Sequence, residues 1–195
     1  MTIEEHPLQP FLPAEASMLF LGSFPPPKAR WSMDFFYPNW INDFWRIQGW
    51  IHFGDKQYFE VAGEKRFDRT RIVDYCEQKG IALFDTASKV CRLKDNADDN
   101  FLEIVEGTDI FALLQQMPLC HTLITTGGKA SEELQSYFGQ KGLSVLIPKV
   151  GESVDIPIPS LPDSVLTWWR MPSTSRAYPM KLEKKADYYR KLWIE

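Results

Sequence analysis

The chain has 195 residues, of which 44% are hydrophobic and 25% are charged, as is typical of a soluble globular protein. We therefore expect a single domain over residues 1–195 with a substantial core. The formal net charge of -4 argues against tight non-specific binding to nucleic acid, although a local basic face can coexist with it.

Cysteine, histidine and apolar residues narrow the class of protein further. The three cysteines and three histidines are scattered: Cys76, Cys91, Cys120, His6, His52 and His121. They form neither a metal-ligand motif nor an even disulfide framework, so the sequence predicts no metal site and a reducing, cytoplasmic location. No apolar run approaches the ~18 residues of a membrane span, and the opening MTIEEH does not resemble a signal peptide.

The first predicted strand leads into a rigid loop. Residues 1–16 carry three prolines and are expected to form an extended N-terminal arm. An apolar run over residues 18–21 then predicts a buried strand, which breaks at Gly22. The prolines at 25–27 fix the loop that follows and remove three backbone donors. A strand that runs into a loop and then a helix is where open α/β sheets place their ligands.

Eight aromatic residues lie between positions 31 and 50. Ile41, Phe44 and Trp45 fit the buried face of a helix. Phe35, Phe36 and Tyr37 precede Pro38 and are expected to be extended, so one of these rings could stack on a flat ligand. The following residues 51–67 are interpreted as a loop or lid.

The middle of the chain predicts alternating helices and strands. Asp68 or Thr70 is expected to cap a helix that ends at Lys79, followed by a buried strand over residues 81–85. Asp85 ends this strand, at the edge where a parallel sheet binds ligands. Residues 92–100 predict a polar loop, and residues 108–117 predict a short helix.

The second half continues the same alternation. Residues 121–125 predict a third strand, followed by a Gly-Gly turn and a helix over residues 131–138. Residues 143–147 could form a short strand, residues 148–162 a loop or small hairpin, and residues 165–169 a further strand. Strands separated by helices predict an α/β sandwich with a parallel sheet.

The last strand is followed by a hydroxyl-rich loop and a basic helix. The loop reads MPSTSRAYP and carries Arg176, and the helix is predicted over residues 180–194. The lysines and arginines of this helix are the one basic concentration in an acidic chain. They suit either a solvated helix face or contact with phosphates.

Several of these segments, in this order, resemble the uracil-DNA glycosylase superfamily, and in particular its branch of hypoxanthine-DNA and mismatch-specific uracil glycosylases. The matching segments are 22–25 (GSFP, against GSFPG), 35–38 with 42–45 (FFYP and NDFW, against YYAHPxNxFW), 80–85 with 91–92 (GIALFD and CR, against GIALWD…CxR), 126–130 (TGGKA, against NGKKA) and 171–175 (MPSTS, against LPSTSPA). Together they span most of residues 18–193.

The resemblance implies a three-layer α/β/α sandwich around a four-stranded parallel sheet. It implies a monofunctional DNA N-glycosylase of base-excision repair, acting as a monomer without metal or cofactor. Its partner is DNA with a deaminated base, uracil or hypoxanthine, which is flipped out of the stack before the bond between base and sugar is hydrolysed.

Residue roles follow from the same resemblance. Asn42 and Asp85 are the implied catalytic residues. The implied base-binding residues are Gly22, Ser23, Phe24, Pro25, Phe35 and Phe36. The implied DNA-binding residues are Pro172, Ser173, Thr174, Ser175 and Arg176.

The chain also departs from the pattern of the branch. The mismatch-specific relatives carry asparagine where this chain has Phe24, and two additional residues separate Pro38 from Asn42. Asn39, Asp34 and Asp43 are therefore rivals of Asn42 as the catalytic group. Two other functions stay open, namely a non-catalytic nucleic-acid-binding protein of the same fold and a hydrolase of free nucleosides.

Overall fold

A computed structural model of the chain describes residues 2–93, 101–158 and 165–194. The strands are β1 Ile3–Glu5, β2 Met18–Gly22, β3 Ile81–Asp85, β4 Ala87–Arg92, β5 Leu102–Gly107, β6 Thr122–Thr126, β7 Glu152–Pro157 and β8 Val165–Met171. The α-helices are α1 Phe44–Phe53, α2 Arg69–Lys79, α3 Ile110–Leu114, α4 Gly128–Gln140 and α5 Leu182–Arg190.

Among the described residues, the main sheet has five strands in the order β3-β2-β6-β8-β7. Four are parallel, because β2 pairs in parallel with β3 and β6, and β6 pairs in parallel with β8. The fifth strand, β7, pairs antiparallel with β8. The predicted α/β class is confirmed. The predicted count of four strands is wrong, because residues 152–157 form a fifth strand that pairs antiparallel with β8.

A second sheet was not predicted. It has three antiparallel strands in the order β1-β4-β5. The extended arm supplies β1, in which Ile3 lies opposite Cys91 and Glu5 lies opposite Lys89. The pairing is invisible in the sequence because β1 is only three residues long and meets β4 more than 80 positions away.

Most predicted helices are present, with shifted ends. Asp68 caps α2 by accepting a hydrogen bond from the Arg71 N–H at 3.1 Å, and Gly80 ends it with a φ of 63°. Helix α3 is shorter than predicted, and α4 begins at Gly128 rather than at residue 131. The final α-helix, α5, ends at Arg190, and the short 3-10 helix Lys191–Trp193 follows it. The predicted polar loop at residues 92–100 falls largely outside the described residues, at 94–100.

Two local predictions are wrong. Residues 143–147 form no strand, and the Val145 carbonyl accepts a hydrogen bond from the Gln135 side chain instead of from a neighbouring strand. Ile41 is 50% exposed, because α1 begins only at Phe44 and Ile41 lies in the turn before it. The segment after α1 is anchored by the buried rings of Phe59 and Phe67.

The core lies between the main sheet and its helices. Its largest fully buried side chains include Trp45, Trp168, Tyr189, Phe20 and Phe44. Within residues 2–93, 101–158 and 165–194, no helix is both long and apolar enough to cross a membrane.

His52 at the end of α1 makes the stability of the fold sensitive to acid. Its ring packs edge-on against Trp193, with centroids 4.5 Å apart. Burial, and to a smaller extent the charge of Lys79, lowers the pKa of His52 from 6.5 to about 4. The unfolded chain therefore takes up a proton at a higher pH than the folded chain.

We expect the contribution of His52 to the free energy of unfolding to be fully present above pH 6.5 and to be lost as the pH drops from 6.5 towards 4. Allowing for solvent screening, the contribution of His52 is on the order of 1 to 2 kcal/mol. Urea denaturation of His52→Phe across this range should show a smaller loss than the wild type. The exposed His121, replaced by Gln, is the control; equal acid losses in wild type and His52→Phe would contradict the assignment.

Candidate functional site

A cavity opens at the carboxyl ends of the parallel strands, the edge at which α/β sheets bind ligands. Its volume is about 130 Å³. Gly22, Asp85 and Thr126 end β2, β3 and β6, and the loop after β8 closes the other side. The wall residues are Leu8, Gly22, Ser23, Phe24, Pro25, Pro26, Phe36, Tyr37, Pro38, Asn39, Asn42, Asp85, Arg92, Thr126, Ser173, Thr174 and Ser175.

Gly22 and Asp85 meet because their strands are in register. The two residues lie opposite each other where β2 and β3 end. A Cβ atom on Gly22 would lie only 2.4 Å from Asp85 Oδ1, so the carboxylate occupies the space that any larger residue at position 22 would need. The Asp85 residue is 7% exposed and belongs to the cavity wall. Position 22 therefore requires glycine, because the Asp85 carboxylate lies too close to the backbone for any side chain.

His6 of the N-terminal arm is the partner of Asp85. Its Nε2 atom lies 2.9 Å from Asp85 Oδ2, and the side chains are 4% and 10% exposed. Sequence reasoning treated the arm only as an extended segment and missed His6. The contact spans 79 positions, and no local pattern in the sequence marks it.

Three aromatic rings line the cavity, those of Phe24, Phe36 and Tyr37. Phe35, the other ring proposed for stacking, is buried in the core against Phe11 and does not belong to the wall. Phe24, Phe36 and Tyr37 thus lie where a ligand could meet them, and their role in binding a base stays a prediction.

Tyr37 is held in an unusual backbone conformation. It has a φ of 49°, the one non-glycine residue in the described part of the chain with positive φ. Its ring stacks on Phe44 with centroids 3.8 Å apart, and its hydroxyl lies 3.0 Å from Thr126 Oγ1. Burial, followed by the nearby Asp85 carboxylate, raises the pKa of Tyr37 well above 10, so the phenol stays protonated.

Asn42 and Asn39 both reach the cavity wall. Asn42 Oδ1 accepts a hydrogen bond from the Phe44 N–H at 2.8 Å, which makes an Asx turn at the start of α1. Asn39 Oδ1 accepts one from the Ile41 N–H at 3.2 Å. In both residues the oxygen supports the backbone, which leaves the amide nitrogen as the group available to a ligand.

The two acidic rivals are engaged elsewhere. Asp43 is buried, and its two oxygens accept hydrogen bonds from Lys185 Nζ at 3.1 Å and Arg176 Nε at 3.0 Å. Asp34 is exposed, pairs with Lys28 and lies outside the cavity wall. Neither carboxylate is placed to act on a ligand in the cavity.

The loop after β8 is anchored by buried residues and presents polar side chains to the cavity. Pro172 and Thr174 are buried, and the Thr174 carbonyl accepts a hydrogen bond from the Asp43 N–H at 2.9 Å. Ser173 and Ser175 line the cavity, whereas Arg176 lies outside it with its side chain 48% exposed. Only part of the predicted DNA-binding set is therefore accessible.

Arg92 brings a positive charge to the wall. Its side chain is 9% exposed and pairs with Glu4 of the arm at 3.1 Å. It also donates a hydrogen bond to the Pro25 carbonyl at 3.1 Å, which ties the proline loop to β4. Within the described ranges, no three His, Cys, Asp or Glu residues gather as a metal site would require. The cavity suits a small flat ring with polar edges.

Comparison with known proteins supports the fold. No protein-family model and no curated protein matches the sequence. The chain is similar to a solution NMR structure described as a "putative Uracil DNA glycosylase" from Methanosarcina acetivorans, with a TM-score of 0.60 and 18% sequence identity. The match covers 99% of this chain and 100% of that chain. At this identity the two proteins share a fold, and the branch expected from the motifs stays a prediction.

Proposed function

We propose that the chain is a monofunctional DNA N-glycosylase of the uracil-DNA glycosylase superfamily, which removes a deaminated base, uracil or hypoxanthine, from DNA. The shared fold and the ordered sequence motifs support this proposal. The proposal includes a three-layer arrangement of helices around the main sheet, action as a monomer, and no metal or cofactor.

The observation that carries the proposal is the cavity itself. Its volume of about 130 Å³ is close to the roughly 150 Å³ of an engineered cavity that binds benzene, so it suits one flat ring system. Its walls combine aromatic rings with a carboxylate, amides and hydroxyls. An enzyme that acts on a base must take the base out of the stack, and a pocket of this kind would receive it.

The chemistry needs charge stabilisation more than a strong base. The bond between C1′ and the base nitrogen breaks with its electron pair leaving on the base, and C1′ becomes oxocarbenium-like. Asp85 would support the floor of the pocket and hold the base in place as this charge develops. Water then adds to C1′, and its proton neutralises the departing base.

Asn42 would act at the water or the sugar. An amide is not a general base, so its role is to orient water or bind the substrate through the side-chain nitrogen. Ser173 and Ser175 would contact the DNA beside the flipped nucleotide, and the exposed Arg176 would bind a phosphate. The loop would thus hold the duplex while the base enters the cavity.

The test is a cleavage assay on oligonucleotides that carry uracil, hypoxanthine or a G:T mismatch, single- and double-stranded, followed by alkali. We expect an alkali-labile nick at one lesion, and we expect Asn42→Ala to reduce base release by about 100-fold or more while DNA binding persists. Because Asn42→Ala also loses the Asx turn, at a cost of about 1 kcal/mol, Asn42→Ser is the matched variant that keeps a turn-forming oxygen.

The assay separates the alternatives. Full activity in Asn42→Ser and Asn42→Ala, with loss in Asn39→Ala, would transfer the catalytic role to Asn39. Binding of lesion DNA without any nick, with enzyme in excess, would indicate a non-catalytic binding protein. Cleavage of free nucleosides at equal rates in wild type and Arg176→Gln would indicate a nucleoside hydrolase.

A further inference from the structure

The N-terminal arm forms part of the cavity and is fastened at several points. Strand β1 pairs with β4, and the His6 N–H donates a hydrogen bond to the Ser88 carbonyl at 2.9 Å. The Glu4 carboxylate pairs with Arg92, itself a wall residue. Leu8, a further residue of the arm, lines the cavity directly. A segment placed this way holds His6 in a defined position against Asp85, which lines the cavity.

The His6 ring is locked by packing as well as by hydrogen bonds. Its centroid lies 4.5 Å from that of Phe84 and 5.3 Å from that of Phe24, which it meets edge-on. The side chain is 4% exposed. A ring enclosed in this way cannot swing out of the site without breaking the aromatic contacts.

The partners of the two ring nitrogens define where the proton sits. Nε2 faces Asp85 Oδ2 at 2.9 Å, and an ionised carboxylate can only accept a hydrogen bond, so Nε2 carries a proton. Nδ1 lies 2.8 Å from the Leu8 carbonyl and 3.2 Å from the Leu8 N–H, so it can serve as donor or acceptor. Whether Nδ1 donates or accepts, the Nε2–H group of His6 donates a hydrogen bond to Asp85.

This bond leaves the other carboxylate oxygen for a ligand. Asp85 Oδ2 is held by His6, whereas Oδ1 lies over Gly22 and receives no hydrogen bond from any described residue. We propose that His6 is a positioning residue, which orients Asp85 so that Oδ1 accepts a hydrogen bond from a ring N–H of the bound base. The proposal rests on the proposed function and specifies which base edge the cavity reads.

The chemistry of deamination makes such an acceptor selective. Cytosine and adenine present a lone pair at ring positions N3 and N1, and their deamination products uracil and hypoxanthine present an N–H there. A fixed carboxylate oxygen attracts the N–H and repels the lone pair. A hydrogen bond to a charged group of this kind corresponds to about 10- to 100-fold in affinity.

The experiment measures binding rather than cleavage. Fluorescence anisotropy would compare oligonucleotides that carry uncleavable 2′-fluoro nucleotides of uracil or cytosine. We expect the wild type to prefer uracil by about 10-fold or more. His6→Phe keeps the ring but loses the donor, and its preference should fall towards unity. His6→Gln restores an N–H near the position of Nε2 and should recover much of the preference, and the exposed Glu5→Gln is the arm control.

The outcomes distinguish this inference from the proposed function. Wild-type preference in a folded His6→Phe variant overturns the positioning role, as does lost preference in a folded His6→Gln variant. Side-chain nitrogen NMR of the wild type should show a protonated Nε2, and a bare Nε2 would overturn the hydrogen bond itself. A uracil preference without cleavage would leave the His6 role intact and overturn only the glycosylase activity.

Discussion

Replacement of Lys185 by Met is expected to lower the free energy of unfolding by about 3 to 5 kcal/mol. The Lys185 side chain is fully buried, and its Nζ donates hydrogen bonds to Asp43 Oδ2 at 3.1 Å and to the Ser175 carbonyl at 2.8 Å. The substitution leaves the buried Asp43 with only the half-exposed Arg176 as its charged partner. A buried charge that loses its partner is far more costly than the pair is stabilising.

Urea denaturation monitored by tryptophan fluorescence would measure this loss. Lys184→Met is the matched control, because the neighbouring lysine is exposed and should change stability by less than about 0.5 kcal/mol. Because Lys185 also holds the Ser175 carbonyl, the loop after β8 should become more susceptible to proteolysis in Lys185→Met. A loss below about 1 kcal/mol would mean that Asp43 is satisfied without Lys185.

Replacement of Gly22 by Ala is expected to reduce base release by about 100-fold, because the displaced carboxylate would misplace the bound base by about 1 Å. The new Cβ would lie 2.4 Å from Asp85 Oδ1, closer than any real contact allows, so the carboxylate must move. The prediction rests on the proposed function, and the rate of base release from lesion-containing DNA measures it. The variant should also lose the uracil preference in binding, because the displaced oxygen is the proposed acceptor.

Gly128→Ala is the control for this substitution. A Cβ on Gly128 would meet only Arg170 Nη2, at 3.9 Å, which is an ordinary contact. The control should therefore keep both activity and stability. Wild-type base release in Gly22→Ala would show that the position of Asp85 Oδ1 does not matter for the reaction.

Local patterns predicted the parallel part of the main sheet and the edge of the sheet at which the cavity opens. Buried apolar runs marked β2, β3, β6 and β8, since a strand covered on both faces needs apolar residues throughout. The carboxyl ends of parallel strands share one edge, so Gly22 and Asp85, and the loop that begins after β8, were expected together before their contacts were known. The structure places Asn42 in the wall of the same cavity.

Other parts of the site depend on contacts that no local pattern encodes. In the sequence, Asp43 is as plausible a catalytic residue as its neighbour Asn42, because both are polar and adjacent. Only the contacts with Lys185 and Arg176 show that the carboxylate oxygens of Asp43 are occupied. Phe35 and Phe36 are adjacent and chemically identical, yet one packs in the core and the other lines the cavity. Side-chain direction in an irregular loop is decided by the surrounding packing.

The α/β class, the strands of the parallel sheet and the edge where polar groups gather can be predicted from local patterns, because buried strands leave continuous apolar runs and polar residues mark where they end. Three features can be seen only in the folded chain: Leu8 of the arm lines the cavity, His6 holds Asp85, and β7 widens the sheet. These features arise from short pairings between distant segments. The stabilising free energy of each pairing depends on both segments being folded together, so neither segment alone signals the pairing.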